Sequence, residues 1–336
     1  MKNRVLAQKR IVLIFVAILL ATVVQGLSYG QGSAKIYWTE SDKIRRANLD
    51  GSNVEDILTE LESPRDIALD LHNRKMYWVT YNFDHSKIYR ANLDGSNIEV
   101  IFNREAQIAE QKKRLHSPVC IAIDTNASKI YWGNWIAPWG ISRADNDGSN
   151  IEDIIIKPVE GAVFGPRVDA ENIRLDVKEG KMYFVDSLND NIARVNFDGS
   201  NYEKLGISII HHVGLALDLH NRKVYWTHIS LNQIRRTSFD GDNTETLLEE
   251  LSFPNNIALD LRSQKMYWVE RDTQKQNGKI IHTGKIQRAN LDGTNVTDIL
   301  TELKGVSSIA LDTEGVYDVT PDTDKLTTTW ANVKSR

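Results

Sequence analysis

The sequence predicts an all-β fold, namely a six-bladed β-propeller with four antiparallel strands in each blade. Three patterns support this prediction, because each recurs six times and all three keep the same order. The first is Lys-[Ile/Met/Val]-Tyr-[Trp/Phe], which starts at Lys35, Lys75, Lys129, Lys181, Lys223 and Lys265. The second is an apolar segment that ends in aspartate, at Asp70, Asp124, Asp176, Asp218, Asp260 and Asp312. The third is an Asp-Gly-x-Asn turn that starts at Asp50, Asp94, Asp147, Asp198, Asp240 and Asp292. Internal repeats of this length are typical of propellers, solenoids and arrays.

Each repeat contains four short apolar segments, which we predict to be the strands of one blade. In the second repeat they are residues 67–70, residues 75–78, a segment that begins at Ile88, and residues 98–101. They are rich in Ile, Val and aromatic residues and are bounded by Gly, Asn or Asp, as strands typically are. We expect one aromatic residue per repeat to pack between blades: Trp38, Trp78, Trp132, Phe184, Trp226 and Trp268.

The two ends of the repeat array predict that the ring is closed. The first repeat has no aspartate-ending strand before Lys35, and the last such strand, Ile309–Asp312, has no Lys-x-Tyr-Trp strand after it. We therefore expect Ile309–Asp312 to pair with the first repeat, which removes two unpaired strand edges.

Residues 1–30 have the layout of a secretory signal peptide, so we expect the folded domain to span residues 31–312. A basic head precedes the apolar run Ile11–Val24, and small residues follow it. This run is shorter than the about 20 residues that a membrane span requires, which favours cleavage over an uncleaved N-terminal anchor. Residues 313–336 are predicted to be a C-terminal tail. The sequence therefore indicates an exported monomer that is secreted, periplasmic or at the cell surface, without stable membrane insertion after cleavage.

Charge and cysteine content narrow the possible partners and the sources of stability. The formal net charge is −4, and removing the four basic residues of the predicted signal peptide leaves −8. This charge argues against a nucleic-acid partner, which requires a basic face. Cys120 is the single cysteine, so no internal disulfide can form and the core must supply the stability.

The repeats resemble the YWTD, or low-density lipoprotein receptor class B, six-bladed propeller family over about residues 35–312. The resemblance implies an extracellular binding module without catalytic activity, here as a stand-alone exported relative. The family motif continues with an aspartate that the resemblance implies will pair with an arginine of the third strand. In this chain that position reads Glu40, Thr80, Asn134, Asp186, His228 and Glu270, of which three are acidic. The resemblance therefore implies that pair for Arg46, Arg194 and Arg288, and other partners for Arg90, Arg143 and Arg236.

Strand parity assigns every insertion to one face of the ring, which we call the loop face. Connections between strands 2 and 3, and from strand 4 to the next blade, emerge there, whereas the 1–2 and 3–4 connections emerge on the opposite turn face. The insertions span residues 80–87, 102–117, 133–140, 155–172 and 271–284. One elaborated face on a regular scaffold is typical of a binding surface.

The loop face carries two tryptophans outside the repeat, next to an insertion with a phenylalanine and an arginine. Exposed tryptophan is typical of binding hot spots, although both rings can instead fold back over the blade as a lid. Two adjacent histidines of the same face can titrate between about pH 5 and 8 or be ordinary solvated side chains. The predicted ligand-binding residues are Trp135, Trp139, Phe164, Arg167, His211 and His212.

Polar residues that precede the inner strands are predicted to ring the mouth of the central channel. They include Asp66, Glu171, Asn172 and Asn256. Their oxygens suit Ca²⁺, and six-bladed lactonase-type propellers use such a channel metal. This gives an alternative function as a calcium-dependent lactonase or esterase. A water-filled polar channel without a metal or other cofactor is the favoured interpretation, because no acid–base pair is discernible.

We interpret the chain as a non-catalytic module that binds an extracellular or cell-surface protein, or a glycan, through its loop face. No Ser-His-Asp arrangement, phosphate loop or zinc-ligand spacing is present to support an enzyme. A structural spacer is a third interpretation, but a spacer does not need one elaborated face.

Overall fold

A computed structural model describes residues 34–82, 85–109, 116–135, 140–154, 168–209, 214–276 and 279–313. Within these ranges the chain forms six four-stranded antiparallel sheets, which are the blades of a six-bladed β-propeller. The predicted fold class is therefore confirmed. Residues Lys35–Thr313 form one compact unit.

Every blade has the same strand order from the centre of the ring outward. Blade 1 contains β24 (Ile309–Asp312), β1 (Lys35–Glu40), β2 (Lys43–Asn48) and β3 (Glu55–Leu58). Blade 2 contains β4 (Pro64–Asp70), β5 (Lys75–Thr80), β6 (Lys87–Asn92) and β7 (Glu99–Asn103). Blade 3 contains β8 (Pro118–Asp124), β9 (Lys129–Asn134), β10 (Gly140–Asp145) and β11 (Glu152–Ile154). Blade 4 contains β12 (Ala170–Asp176), β13 (Lys181–Asp186), β14 (Asn191–Asn196) and β15 (Glu203–Ser208). Blade 5 contains β16 (Leu215–Asp218), β17 (Lys223–His228), β18 (Gln233–Ser238) and β19 (Glu245–Leu248). Blade 6 contains β20 (Pro254–Asp260), β21 (Lys265–Gln276), β22 (Lys279–Asn290) and β23 (Thr297–Lys304).

The ring closes through blade 1, where the last strand of the propeller lies beside the first. Strand β24 pairs antiparallel with β1, with Trp38 opposite Ile309 and Lys35 opposite Asp312. The inner strands β24, β4, β8, β12, β16 and β20 contact one another in a closed circle. The blade therefore combines both ends of the repeat array, as the sequence predicts.

The aromatic residue of each repeat packs against the neighbouring blade, which confirms its predicted place in the core. Trp268, for example, is fully buried and shares a cluster with Tyr225 of blade 5. Burying a tryptophan removes about 150–250 Å² from water, which contributes about 4–6 kcal/mol before conformational entropy is subtracted. All six are at most 1% exposed: Trp38, Trp78, Trp132, Phe184, Trp226 and Trp268.

The third-strand arginines link each blade to the next, but their partners differ from those that the resemblance implies. Five form ion pairs with a glutamate of their own outer strand: Arg46–Glu55, Arg90–Glu99, Arg143–Glu152, Arg194–Glu203 and Arg236–Glu245. All six donate from Nη1 to a backbone carbonyl that directly precedes an Asp-Gly turn of the following blade: Leu93, Asn146, Phe197, Phe239, Leu291 and Leu49. The implied pairing of these arginines with the fourth motif position is wrong.

In blades 1, 3 and 6 the fourth motif position, at Glu40, Asn134 and Glu270, instead accepts a hydrogen bond from the buried tryptophan of its own strand. Trp38 Nε1 donates to Glu40 Oε1 at 2.8 Å, and Trp268 Nε1 donates to Glu270 Oε1 at 3.1 Å. A carboxyl group two residues beyond the tryptophan reaches the indole nitrogen on the same side of the strand, because strand side chains alternate. The carboxyl group of Glu40 forms its ion pair with Arg45, the residue that precedes the third-strand arginine Arg46.

Two insertions of the loop face contain regular structure. Residues Arg104–Ala109 form helix α1. Residues 271–284, predicted as an inserted loop, continue β21 and β22 into a longer hairpin, in which Gln276 lies opposite Lys279. In the part of the chain described, no helix has the length and apolar character to cross a membrane.

Candidate functional site

The loop face opens into a central cavity of about 740 Å³ at the mouth of the channel. Its walls come from blades on all sides of the ring, because the first residues of the inner strands converge there. The charged and aromatic lining residues include Arg65, Asp66, Tyr81, Glu171, Phe253 and Arg271. All of them lie in or beside a 2–3 connection or a link between blades. The cavity therefore belongs to the face on which the sequence places the insertions.

Arg65 connects the cavity to the predicted tryptophan patch. Its guanidinium carbon lies 5.1 Å from the centre of the Tyr81 ring and 5.9 Å from the centre of the Trp135 ring. The two rings meet edge to face, with centres 6.2 Å apart and planes at 68°. Trp135 is half-buried, and its backbone N–H donates to the Ser117 carbonyl at 3.0 Å. The aromatic patch and the channel mouth, which the sequence treats as separate sites, are thus adjacent.

Arg271, in blade 6, adds a second positive charge to the lining of the cavity. Its Nε donates to the Val306 carbonyl at 3.1 Å, and its Nη2 donates to Ser307 Oγ at 3.0 Å. With the Asn255 amide oxygen turned towards it, Arg271 also donates to that oxygen from Nη2 at 2.8 Å and from Nε at 3.2 Å. Arg271 is exposed to the cavity, yet the surrounding protein desolvates its guanidinium, and this, together with the charge of Arg65, lowers its pKa.

Asp66, a predicted mouth residue, holds three inner strands together. Its Oδ1 accepts from the Ile67 N–H at 3.0 Å and from Ser308 Oγ at 2.6 Å, while Oδ2 accepts from the Ile121 N–H at 2.9 Å. The residue is 5% exposed. Because both carboxylate oxygens accept hydrogen bonds from groups of blades 1, 2 and 3, Asp66 holds these three blades together at the floor of the cavity.

The other predicted mouth residues also converge, as the sequence suggests. Glu171 is 2% exposed, and its Oε1 lies 3.8 Å from Arg65 Nη2. Asn256 Nδ2 donates to Asn172 Oδ1 at 3.3 Å across the mouth, although these residues belong to blades 6 and 4. Asn256 Oδ1 accepts from the Ile309 N–H at 3.3 Å. These amides narrow the channel below the cavity.

The donor set at the mouth does not fit a calcium ion. Calcium requires 6–8 oxygen ligands from carboxylates, backbone or amide carbonyls and waters. Asp66 is fully used by N–H and O–H donors, Glu171 lies beside Arg65, and Arg271 adds a second positive charge. Among the described residues, no group of three His, Cys, Asp or Glu side chains is placed to hold a metal ion.

Several predicted contact residues fall outside the part of the chain that the structure describes. These are Trp139, Phe164, Arg167, His211 and His212. Conversely, Tyr81 and Arg271 line the cavity but were not singled out from the sequence. In the sequence each stands at the start of an insertion after the Lys-x-Tyr-Trp motif, so strand parity alone was sufficient to place both on the loop face.

The chain is similar, over part of their length, to two proteins that carry the word receptor in their names. No model of a protein family matches it. Low-density lipoprotein receptor-related protein 5-like protein of Homo sapiens is 25% identical over 181 residues, which cover 53% of this chain and 64% of that protein. Vitellogenin receptor Yl of Drosophila melanogaster is 27% identical over 198 residues, which cover 57% of this chain and 9% of that protein. The chain therefore spans less than two thirds of the length of these relatives.

Solved structures share the fold at low sequence identity. A chain of a nidogen/laminin complex has a TM-score of 0.63 and 18% identity, covering 83% of this chain and 98% of that chain. TolB from Acinetobacter baumannii has a TM-score of 0.59 and 14% identity, covering 86% of this chain and 69% of that chain. At these identities the likeness concerns the fold alone. With the repeats, the six blades and the receptor relatives in agreement, the resemblance of this chain to the YWTD, or low-density lipoprotein receptor class B, propeller family is confirmed.

Proposed function

We propose that this chain is a non-catalytic, exported binding module that recognises an extracellular or cell-surface protein through its loop face. The observation that carries the proposal is the cavity at the channel mouth, flanked by the Tyr81–Trp135 pair. Its volume lies within the about 300–1,000 Å³ that ligand sites typically enclose. Aromatic and arginine side chains around a recess are the residue types that dominate binding energy at protein interfaces.

The relatives support a protein as the ligand. Both carry the word receptor in their names, and the similar solved structure is a complex between nidogen and laminin. A glycan is the second candidate class of ligand, and an array that carries both proteins and glycans distinguishes the two classes.

The lining residues support binding without catalysis. No histidine is among the described residues that line the cavity, so the usual general base is absent from that set. Burial raises the pKa of the Cys120 thiol to about 12, which makes it a poor nucleophile at neutral pH. Ser308 Oγ donates to Asp66 and packs at the buried floor.

The proposal is tested on an array of extracellular proteins and glycans probed with the purified chain. We expect binding to at least one protein, and a Trp135→Ala/Trp139→Ala double variant is expected to weaken it at least about 10-fold, since hot-spot aromatics contribute 2 kcal/mol or more. Arg262→Gln on the turn face serves as the matched control. Binding that the double variant leaves unchanged, or hydrolysis of lactones that depends on Ca²⁺, would overturn the proposal.

A further inference from the structure

We infer that the cavity selects a carboxylate, with Arg271 as the residue that receives its charge and an acidic side chain of the protein ligand as its occupant. This inference rests on the proposed function, because it names the chemical group that the loop face recognises.

The two arginines among the described residues that line the cavity, Arg65 and Arg271, differ in the kind of partner they have. Arg65 lies near the carboxyl group of Glu171. The described partners of Arg271 are neutral: the Val306 carbonyl, the Ser307 hydroxyl and the Asn255 amide. Within the described ranges no carboxyl group forms an ion pair with it. A guanidinium stays charged at physiological pH, so this cavity wall holds a positive charge that an incoming anion can neutralise.

The described contacts also leave donors available on Arg271. A guanidinium has five N–H groups, and the described contacts use Nε and Nη2. These contacts fix the plane of the group, because two of them come from adjacent residues, Val306 and Ser307, of one link between blades. A fixed guanidinium loses little entropy when it binds a carboxylate, for which its planar geometry is well suited.

The charge balance favours a single negative charge over a doubly charged phosphate. The cavity is lined by two arginines, Arg65 and Arg271, and by two carboxyl residues, Asp66 and Glu171. Arg65 is near Glu171, and the Asp66 oxygens are occupied by hydrogen-bond donors. The four charges of the lining sum to zero, so a monoanion at Arg271 disturbs this balance less than a dianion, which would face both buried carboxyl groups with twice the charge.

Apolar side chains on the same side of the cavity favour a peptide as the source of the carboxylate. Phe253 is 53% exposed and lines the cavity together with Ile229. An acidic side chain that is flanked by apolar residues matches this arrangement, because Phe253 and Ile229 can then be covered while the carboxylate reaches Arg271.

The test is a peptide selection with two variants of the propeller. A random peptide library displayed on phage is selected on immobilised wild-type chain, and the enriched peptides are measured against wild type, Arg271→Gln and Arg262→Gln. We expect enriched peptides to share an Asp or Glu, and its exchange for Asn or Gln to weaken binding to wild type by about 10-fold or more, as for a hydrogen-bonded charge pair. The same exchange is expected to change binding to Arg271→Gln by less than about 2-fold, and Arg262→Gln is expected to behave as wild type.

Other outcomes separate the inference from the function on which it rests. Peptides that bind the cavity but tolerate loss of the acid, or lose equal affinity on wild type and Arg271→Gln, overturn the inference and leave the binding function intact. Failure to enrich any peptide, together with no hit on the protein array, overturns the function and the inference with it. Oligogalacturonate that binds more tightly than any acidic peptide, and depends on Arg271, overturns the peptide source. If Arg271→Gln lowers the melting temperature, Arg271→Lys keeps the charge and is expected to keep part of the preference for acidic peptides.

Discussion

On the turn face the six blades present nearly the same residues in the same geometry, whereas on the loop face they differ from one another. Each turn-face arginine donates to a carbonyl of the next blade, and this contact recurs around the whole ring. The side-chain contacts of the described loop-face residues differ from blade to blade: Arg65 stacks on Tyr81 and Trp135, and Arg271 contacts Val306 and Ser307. The repeated contacts therefore account for the stability of the ring, and the unique ones indicate where a ligand is recognised.

The largest expected difference is between a tryptophan of the repeat and the tryptophan of the loop face. Trp268→Ala is expected to lower the free energy of unfolding by about 3–5 kcal/mol, because it empties a fully buried site between blades. Trp135→Ala removes an edge contact with Tyr81 from a half-buried residue, and we expect a loss of at most about 1.5 kcal/mol. Urea unfolding followed by circular dichroism measures both. Equal losses would make Trp135 a core residue and remove it from the binding face.

A turn-face arginine is expected to contribute to stability and not to binding. Arg143→Gln removes the hydrogen bond from Nη1 to the Phe197 carbonyl, at 3.3 Å, and the ion pair with Glu152, at 2.8 Å. We expect a loss of about 1–2 kcal/mol, because the bond between blades involves a charged donor and the exposed ion pair adds little. The array ligand should bind this variant as it binds wild type. Weakened binding at unchanged stability would instead place the ligand on the turn face.

A smaller effect is expected from a buried carboxyl group that departs from the repeated pattern. Burial raises the pKa of Asp186, although Asn189 and Tyr202 donate hydrogen bonds to it. Between the ordinary pKa of about 3.9 and the raised pKa, the Asp186 carboxyl group is therefore protonated in the folded protein but ionised in the unfolded chain. This contribution to stability is present below that pH and is lost as the pH rises through the raised pKa.

The sign of this effect is tested by comparison with Asp186→Asn, which cannot titrate. The stability of the variant relative to wild type should increase as the pH rises from about 4, where the Asp of the unfolded chain ionises. The difference is measured by urea unfolding at a series of pH values. A flat difference, or one that falls with rising pH, would contradict the raised pKa.

The smallest expected effect is that of calcium on the loop face. Because Asp66 is occupied by N–H and O–H donors and two arginines line the mouth, millimolar Ca²⁺ should not bind there. A ligand that does not bind the folded state leaves its stability unchanged. The melting temperature is therefore expected to be the same in Ca²⁺ and in EDTA. A Ca²⁺-dependent rise that Asp66→Asn abolishes would restore the channel metal.

The sequence was sufficient to predict the fold because the ring is built from contacts that repeat. Trp268 and its five equivalents recur at fixed spacing, and Ile309–Asp312 lacks a partner until it reaches the first repeat. The sequence did not show that the acidic fourth position, as in Glu40, accepts from the indole of Trp38. From the sequence, a carboxyl group and an arginine at suitable spacing predict an ion pair just as well. Only the side-chain geometry shows whether the indole or the guanidinium donates to the carboxyl group.

The candidate site was predictable only in part, because it is assembled from residues far apart in sequence. Strand parity placed Trp135 and Asp66 on one face, but it does not reveal that Arg65 lies between the aromatic pair and the mouth. Arg271 was missed because residues 271–284 resemble an unstructured insertion. In the structure they instead continue β21 and β22, which pair antiparallel along the whole hairpin.

Blocking one face at a time tests the central claim most directly. Leu231, in a 2–3 connection of the loop face, is 52% exposed, and Asn126 is exposed in a 1–2 turn of the turn face. Each is exchanged for cysteine and coupled to a bulky polyethylene glycol maleimide, since buried Cys120, with its pKa raised to about 12, is not expected to react. Binding of the array ligand is then measured by surface plasmon resonance. We predict that the Leu231→Cys adduct loses binding while the Asn126→Cys adduct retains it. Retained binding by the loop-face adduct together with loss by the turn-face adduct would contradict the assignment of function to the loop face.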